Sequence, residues 1–352
     1  MEQEYINLLG RLMACAPVTE DVAAVNRCSA VMEEFLASRG ISVVREQING
    51  RNTLFASTKP GKTAEVLLNA HMDVVPPSEP EQHTLRQEGH ILCGRGTDDC
   101  LGNAVCIAKL LVENRGKSVA AIFTTDEETG GLTTRGMLER GYHATRGVIV
   151  LDCLNLTYAE KGMLNVKLTA RRAAAHAAHP WETENALELL MEGYCRLRRQ
   201  WPNPSSEEDW RDSMAATGIE ASSMVHNVIP ESASLNLNIR YIKGHTEEEI
   251  LERIRAVTGL EATAGNDCCP PVECDPQCDF FQKMLHAAQK EFRQPVEKVR
   301  VCGATDARHF AQAYPDIPIV MGGITGGNCH GKGEWIDGDD FDPMYRTCAA
   351  VL

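Results

Sequence analysis

Five stretches of this chain end apolar, strand-like runs in side chains able to bind a cation. "LLNAHMDVVPP" leaves a strand with His71 and, two residues on, Asp73. "LCGRGTDDCLGN" sets Asp98 and Asp99 in a glycine-rich loop ahead of a helix, and "FTTDEETGG" presents Glu127 and Glu128 after the run "SVAAIF". "GVIVLDC" ends on Asp152, and "MGGITGGNCHGKGEW" carries His330 in a glycine-rich loop. Singly, each is better explained as a hydrogen-bonded structural group. The three successive acids Asp126, Glu127 and Glu128 could equally cap a following helix. Together they are what two cations about 3.5–4 Å apart require. One carboxylate bridges, each cation takes one His and one terminal carboxylate, and a surplus acid is left to move protons. Residue chemistry alone leaves open whether Asp98 or Asp99 bridges.

The elements that must position these residues alternate. Helical patterns "EQEYINLLGRLMACA" and "DVAAVNRCSAVMEEFLASRG" open the chain, the second closing at Gly40. The strand-like runs "ISVVREQI", "NTLFAST" and "AEVLLNAHMDVV" follow, then the helix "NAVCIAKLLVENRG", the strand "SVAAIFTTD", the helix "TTRGMLERG" and the strand "GVIVLD". Short apolar strands alternating with helices predict an α/β domain with a largely parallel sheet, and ligands bind such sheets at the carboxyl ends of the strands. After residue 162 the strands become half-polar: "MLNVKLTA", "ASLNLNIRYI" and "LEATAG", with helices in "ETENALELLMEGYCRLRRQW" and "TEEEILERIRAVTG". The order strand-helix-strand-strand-helix-strand predicts an inserted, ferredoxin-like α+β sandwich. The α/β pattern returns near residue 270. The predicted domains are therefore a discontinuous catalytic domain, 1–162 and 269–352, and an inserted domain, 163–268.

The ordered motifs "HMDVVP", "GRGTDDCLG", "DEETGG" and "NCHGKGE", with "HAAHPWETENA" and "NVIPESASLNLNIR" in the insert, are specific. The chain resembles, over essentially its whole length, the zinc aminoacylase/carboxypeptidase G family, which includes acetylornithine deacetylase, succinyl-diaminopimelate desuccinylase and the dizinc di- and tripeptidases. The resemblance implies two Zn2+ per chain, with Co2+ or Mn2+ as substitutes. His71, Asp99 and Asp152 would hold one metal. Asp99 would bridge to a second, held by Glu128 and His330. Asp73 would orient the His71 ring, Glu127 would be the general base, and the Asp99–Cys100 peptide would be cis. In the inserted domain, which would act as lid and dimerisation domain, His176 would reach the substrate carbonyl across a homodimer. Arg240 would grip a substrate carboxylate, with Asn227 assisting; Thr305 and Asp306 would contribute from the main domain. His179 occupies a variable position and is expected to be structural. Two positions depart from the family pattern: Leu101 replaces a frequent lysine, and "TARRAAAH" lacks the glycine usual before the lid histidine.

The implied reaction is hydrolysis of the amide of a small N-acyl amino acid or short peptide with a free carboxylate, with deacylase and dipeptidase unresolved. The alternative is a metal-free, catalytically silent binding or regulatory relative, against which the complete ligand set argues. A net charge of -14 excludes a nucleic-acid footprint. No apolar run approaches the ~20 residues of a membrane span, and the acidic, amphipathic N-terminus is unlike a signal peptide, which predicts a cytoplasmic protein. The 14 cysteines include Cys106, Cys153 and Cys302 within apolar runs, as expected of reduced buried thiols. The Cys268, Cys269, Cys274, Cys278 cluster lacks paired CxxC spacing and is not expected to bind zinc.

Overall fold

Four short runs lie side by side as parallel strands, in the order Val119–Thr124, Thr63–His71, His143–Leu151 and Ile319–Gly322. Arg51–Ser57 and Ser42–Ile48 continue the sheet antiparallel beyond Val119–Thr124. The sequence runs are apolar almost throughout because both faces of this sheet are covered. Successive side chains point to opposite faces. Val66, Leu68, Ala70, Ala121 and Phe123 share one core with the helices Gln3–Met13, Val22–Ser38, Gly102–Glu113, Asp279–Glu291 and Phe341–Ala349. Leu67, Ala120, Ile122, Val148 and Val150 share another with the helices Leu132–Glu139 and Ala307–Ala313. Burial of each large aliphatic side chain contributes roughly 1.5–3 kcal/mol, so strand register is tightly held.

This computed structural model describes residues 1–152, 155–223, 225–266 and 268–352. The chain forms two units: Met1–Ala159, Val272–Arg300 and Thr305–Leu352 make the first, and Glu160–Pro271 with Val301–Ala304 the second. The changeovers lie three residues from the boundaries read in the sequence. The Val301–Ala304 segment groups with the second unit, where the Val301 carbonyl accepts from the Lys161 N–H at 3.2 Å.

The second unit has a four-stranded antiparallel sheet, ordered Ser213–Ala221, Ser232–Tyr241, Gly162–Arg171, Glu261–Ala264. Leu164, Val166, Leu168, Leu237 and Ile239 form its core with the helices Ala186–Gln200 and Glu247–Thr258. Ser213–Ala221 shows no apolar alternation. It is an edge strand, largely exposed, and its register shifts between Ala216 and Gly218. Among the described residues no disulfide forms, and no helix is long and apolar enough to cross a membrane. Cys106 is buried, Cys302 is half-buried, and Cys153 lies outside the described residues.

Candidate metal centre

The carboxyl ends of the parallel strands carry the candidate residues. His71 is the last residue of its strand, aligned with Thr124 on the neighbour, and Asp152 directly follows Leu151. Glu127 and Glu128 open a single 3-10 turn after Val119–Thr124. Asp99 sits in the kinked turn Thr97–Leu101, whose Asp99–Cys100 peptide is cis. That turn closes on the helix at Gly102, where a Cβ would lie 2.2 Å from the Thr97 carbonyl oxygen.

Asp99 lies between the two histidines. Its Oδ1 is 2.8 Å from His71 Nε2, and its Oδ2 is 2.9 Å from His330 Nε2. Asp152 Oδ1 stands 4.0 Å from His71 Nε2, and Glu128 Oε2 stands 3.1 Å from His330 Nε2. Asp98 takes no such place; its main-chain N–H donates to Glu334 Oε1 at 2.9 Å. Of the two acids that residue chemistry left open, Asp99 is the one that lies between His71 and His330.

The His71 ring is oriented by Asp73, but through the main chain. Its Nδ1 lies 2.9 Å from the Asp73 carbonyl oxygen, and the nearer carboxylate oxygen is at 3.5 Å. With Nδ1–H donating to that carbonyl, Nε2 is the nitrogen turned to Asp99, and on losing its proton it becomes the ligand atom. The fully buried Asp73 carboxylate has other work. It accepts from Thr19 Oγ1 at 2.9 Å and from the N–H groups of Glu127 and Glu128 at 3.2 and 3.4 Å. It therefore fixes the turn that presents both glutamates. Asp126, the first of the three acids, caps the following helix by accepting from the Thr133 N–H at 3.0 Å.

So many carboxylates in one buried place disturb each other. Burial pushes Glu127 well above its usual range and Glu128 up to about 7. Asp99 is driven the opposite way: burial opposes its ionisation, but hydrogen bonds from His330 and His71 bring it well below the ordinary value. The hydrogen bond to Asp99 lifts His330 to about 9. Burial works against a charged His71, yet Cys100, Asp73 and Asp99 carry it well above the usual range. Protons here balance charge that cations would otherwise balance. The donor set fits such cations, since nitrogen and carboxylate oxygen suit zinc and its neighbours. His71, Asp99 and Glu128 offer ligand atoms within 4.8 Å of one another, as do His71, Cys100 and Asp152. The Glu128 Oε1 atom, buried without a hydrogen-bond partner, is a further acceptor suited to a cation.

Several residues that hold this arrangement escaped the sequence. Asn103 ties three loops, donating to the Asp98 and Asp152 carbonyls at 3.0 and 3.1 Å and accepting from the Ile324 N–H at 3.0 Å. Arg308 Nη2 stands 3.6 Å from Glu127 Oε1. Arg95 and Glu334 lie inside the motifs themselves, so their position was the available signal; Thr19 gave none. Thr305 accepts from the Ala307 N–H at 3.1 Å, and Asp306 accepts from Thr124 and Thr134 hydroxyls at 2.8 and 2.6 Å.

The remaining candidates belong to the second unit. His176 is exposed on a two-residue ribbon where it pairs with Val228, and the Ala177 N–H donates to the Asn227 carbonyl at 2.9 Å. The ribbon thus brings His176 and Asn227 together. Arg240, half-buried near the end of Ser232–Tyr241, donates from Nε to Asn238 Oδ1 at 3.1 Å. The four-cysteine cluster divides: Cys268 and Cys269 fall in the second unit, Cys274 and Cys278 in the first. The latter pair has Sγ atoms 3.6 Å apart.

Comparison with known proteins agrees with this geometry. The profile of peptidase family M20/M25/M40 matches residues 67–352. A probable carboxypeptidase of Emericella nidulans is 27% identical, over 74% of this chain and 68% of its own length. Succinyl-diaminopimelate desuccinylase 2 of a Ruegeria species is 25% identical, covering 99% of this chain and 94% of that protein. Among solved structures, the aminopeptidase PepT of Bacillus cereus superposes with a TM-score of 0.80 at 17% identity, covering 100% of this chain and 98% of that one. An M20 metallo-carboxypeptidase of Sulfolobus solfataricus gives 0.73 at 15%, with the same coverage. Fold, donor set and relatives define a metal-dependent hydrolase. The chain belongs to peptidase family M20/M25/M40.

Proposed function

We propose that this chain hydrolyses the amide bond of a small N-acyl amino acid or short peptide bearing a free carboxylate, using two zinc ions. The observation that carries the reading is the shared Asp99 carboxylate, one oxygen toward each histidine, with Glu127 left outside that set. His71, Asp99 and Asp152 would hold one cation, and Asp99, Glu128 and His330 the other. The cations would supply polarisation of the scissile carbonyl and acidification of the attacking water.

The protein's own groups do the rest. Glu127, whose pKa burial raises, takes a proton from the attacking water on its carboxylate and delivers it to the departing nitrogen. Arg308 stands beside that carboxylate and limits its swing. His176 accepts the Ala178 N–H at Nδ1, 3.0 Å away, so the ring proton of the neutral imidazole sits on Nε2 as a donor for the developing oxyanion. Arg240 offers its guanidinium to the substrate carboxylate, with Asn227 and Thr305 as neighbours of the bound substrate. The second unit is assigned the roles of lid and homodimer contact, and the protein a cytoplasmic location.

The test is a metal count on purified protein combined with free-amine release from pooled N-acyl amino acids and dipeptides. About two metals per chain with release from one chemical class is the expected result for a two-metal site. A dipeptide compared with its N-acetylated form separates the classes, since a dipeptidase needs the free amine. Neither metal nor turnover, even with zinc or cobalt added, would move the metal-free binding relative to the front.

A further inference from the structure

The two candidate cation positions are not supported alike. His71 and Asp152 end or directly follow strands whose registers are fixed on both sides. Glu128 and His330 hang on loops, and His330 has a left-handed backbone, φ 61°, with 55% of its side chain exposed. Something other than the sheet must fix the distance from Asp99 to His330.

A buried ion pair lies where such a link is needed. Arg95 Nη1 is 2.6 Å from Glu334 Oε2, with the side chains 1% and 0% exposed. Each partner also turns a polar atom to the loops that carry the candidate ligands. Glu334 Oε1 accepts both the Asp98 and the Asp99 N–H, at 2.9 and 3.0 Å. Arg95 Nη2 donates to the His330 and Gly331 carbonyls, at 3.2 and 3.1 Å. A planar guanidinium can make these contacts from one fixed fork, which lysine cannot. The pair thus binds the backbone of the bridging residue to the backbone of the loop histidine.

We infer that Arg95 and Glu334 are positioning residues that set the affinity of the second cation, the one assigned to Asp99, Glu128 and His330, while leaving the first to the sheet. This rests on the two-cation reading above. Neither residue is among the assigned ligands; removing such outer partners typically weakens metal binding about 10–100-fold.

The experiment is a Co2+ titration of the metal-stripped full-length protein, followed by calorimetry and visible absorption, for wild type, Arg95→Lys and Glu334→Gln. Wild type should show two binding steps. In both variants the second step should weaken about tenfold or more and the first by less than about threefold. Equal weakening of both steps, as a general loss of structure gives, or no change in either, overturns the inference. A single step in wild type overturns the two-cation reading and this inference with it. Should a variant fail to fold, hydrogen exchange on stripped wild type decides: the Asp98 and Asp99 amides must be protected, and fast exchange there sinks the clamp.

Discussion

The two units hold their candidate functional side chains at different degrees of burial. In the first, His71 and Asp152 issue from strands buried on both faces, and loop residues are tied back by Asp73, Asn103 and the Arg95–Glu334 pair. In the second, His176 stands exposed on a two-residue ribbon, and Arg240 lies half-buried on a strand. The contrast has a chemical logic. Groups that share cations must hold their spacing to tenths of an ångström before anything binds, whereas groups that meet a substrate can complete their contacts on binding.

If that division holds, damage should sort by unit. The largest effect is expected for Glu127→Gln, which keeps the side chain's shape and removes the base. Turnover should fall about 10³-fold or more while the metal content stays at the wild-type value. Substantial retained activity would sink the role of Glu127. His176→Gln should lower kcat about 10²-fold and leave both metals bound, a loss confined to the transition state. Loss of metal in that variant would contradict the separation of roles. Arg240→Lys should raise KM about tenfold with a smaller change in kcat, because a fork is replaced by a point charge. An unchanged KM for every carboxylate-bearing substrate would remove Arg240 from the site.

A smaller effect on stability tests the electrostatics of the first unit without substrate. In the stripped protein His330 titrates at about 9 instead of 6.5, through its hydrogen bond to Asp99, and burial lifts Glu128 from 4.5 to about 7. Both shifts mean that the folded state holds more protons than the unfolded state. The His330 contribution is complete below pH 6.5 and is lost as pH rises through 9; that of Glu128 is complete below 4.5 and lost as pH rises through 7. The unfolding midpoint of chelated protein should therefore fall between pH 6.5 and 9. Metal must displace these protons, so added Zn2+ should restore more stability at the upper end of that range than at the lower. A midpoint that rises with pH in chelator would show that the histidine–carboxylate contacts do not form.

How much of this was legible depends on the physics behind each feature. The parallel strands could be read because burial on two faces demands unbroken apolar runs such as "SVAAIF" and "GVIVL". Strand-end placement gathered His71, Asp73, Asp98, Asp99, Glu127, Glu128, Asp152 and His330. The family resemblance narrowed them to the five ligands His71, Asp99, Glu128, Asp152 and His330, and the structure brings those five together. The predicted order of elements includes the strand Ser213–Ala221, but no run could be assigned to it, because an exposed edge with a bulge needs no apolar alternation. The reading that Asp73 orients the His71 ring did not say through which atom; the ring nitrogen lies nearest the Asp73 carbonyl, and sequence spacing cannot tell a side-chain acceptor from a main-chain one. Thr19 could not be found at all: it meets Asp73 across 54 residues of chain, through a contact that no local pattern encodes.

The smallest expected effect returns to the run of acids Asp126, Glu127 and Glu128. Two explanations competed for it, a helix cap and a pair of chemical groups, and they divide between its members. Asp126 accepts the Thr133 N–H at 3.0 Å and the Thr133 hydroxyl at 2.5 Å, while Glu127 stands beside Arg308 and Glu128 beside His330. Burial raises the Asp126 pKa even though both Thr133 contacts favour the charged form. Asp126→Asn, which keeps an acceptor oxygen, should therefore be nearly neutral for stability. Asp126→Ala should cost about 1–2 kcal/mol, the ordinary range for a lost cap. In neither variant should kcat fall more than a few-fold, because the Glu127–Glu128 turn is also held by Asp73. A large loss of turnover in Asp126→Asn, with metal bound and the fold intact, would mean that capping does not exhaust the role of the first acid. The division of labour along the run would then have to be redrawn.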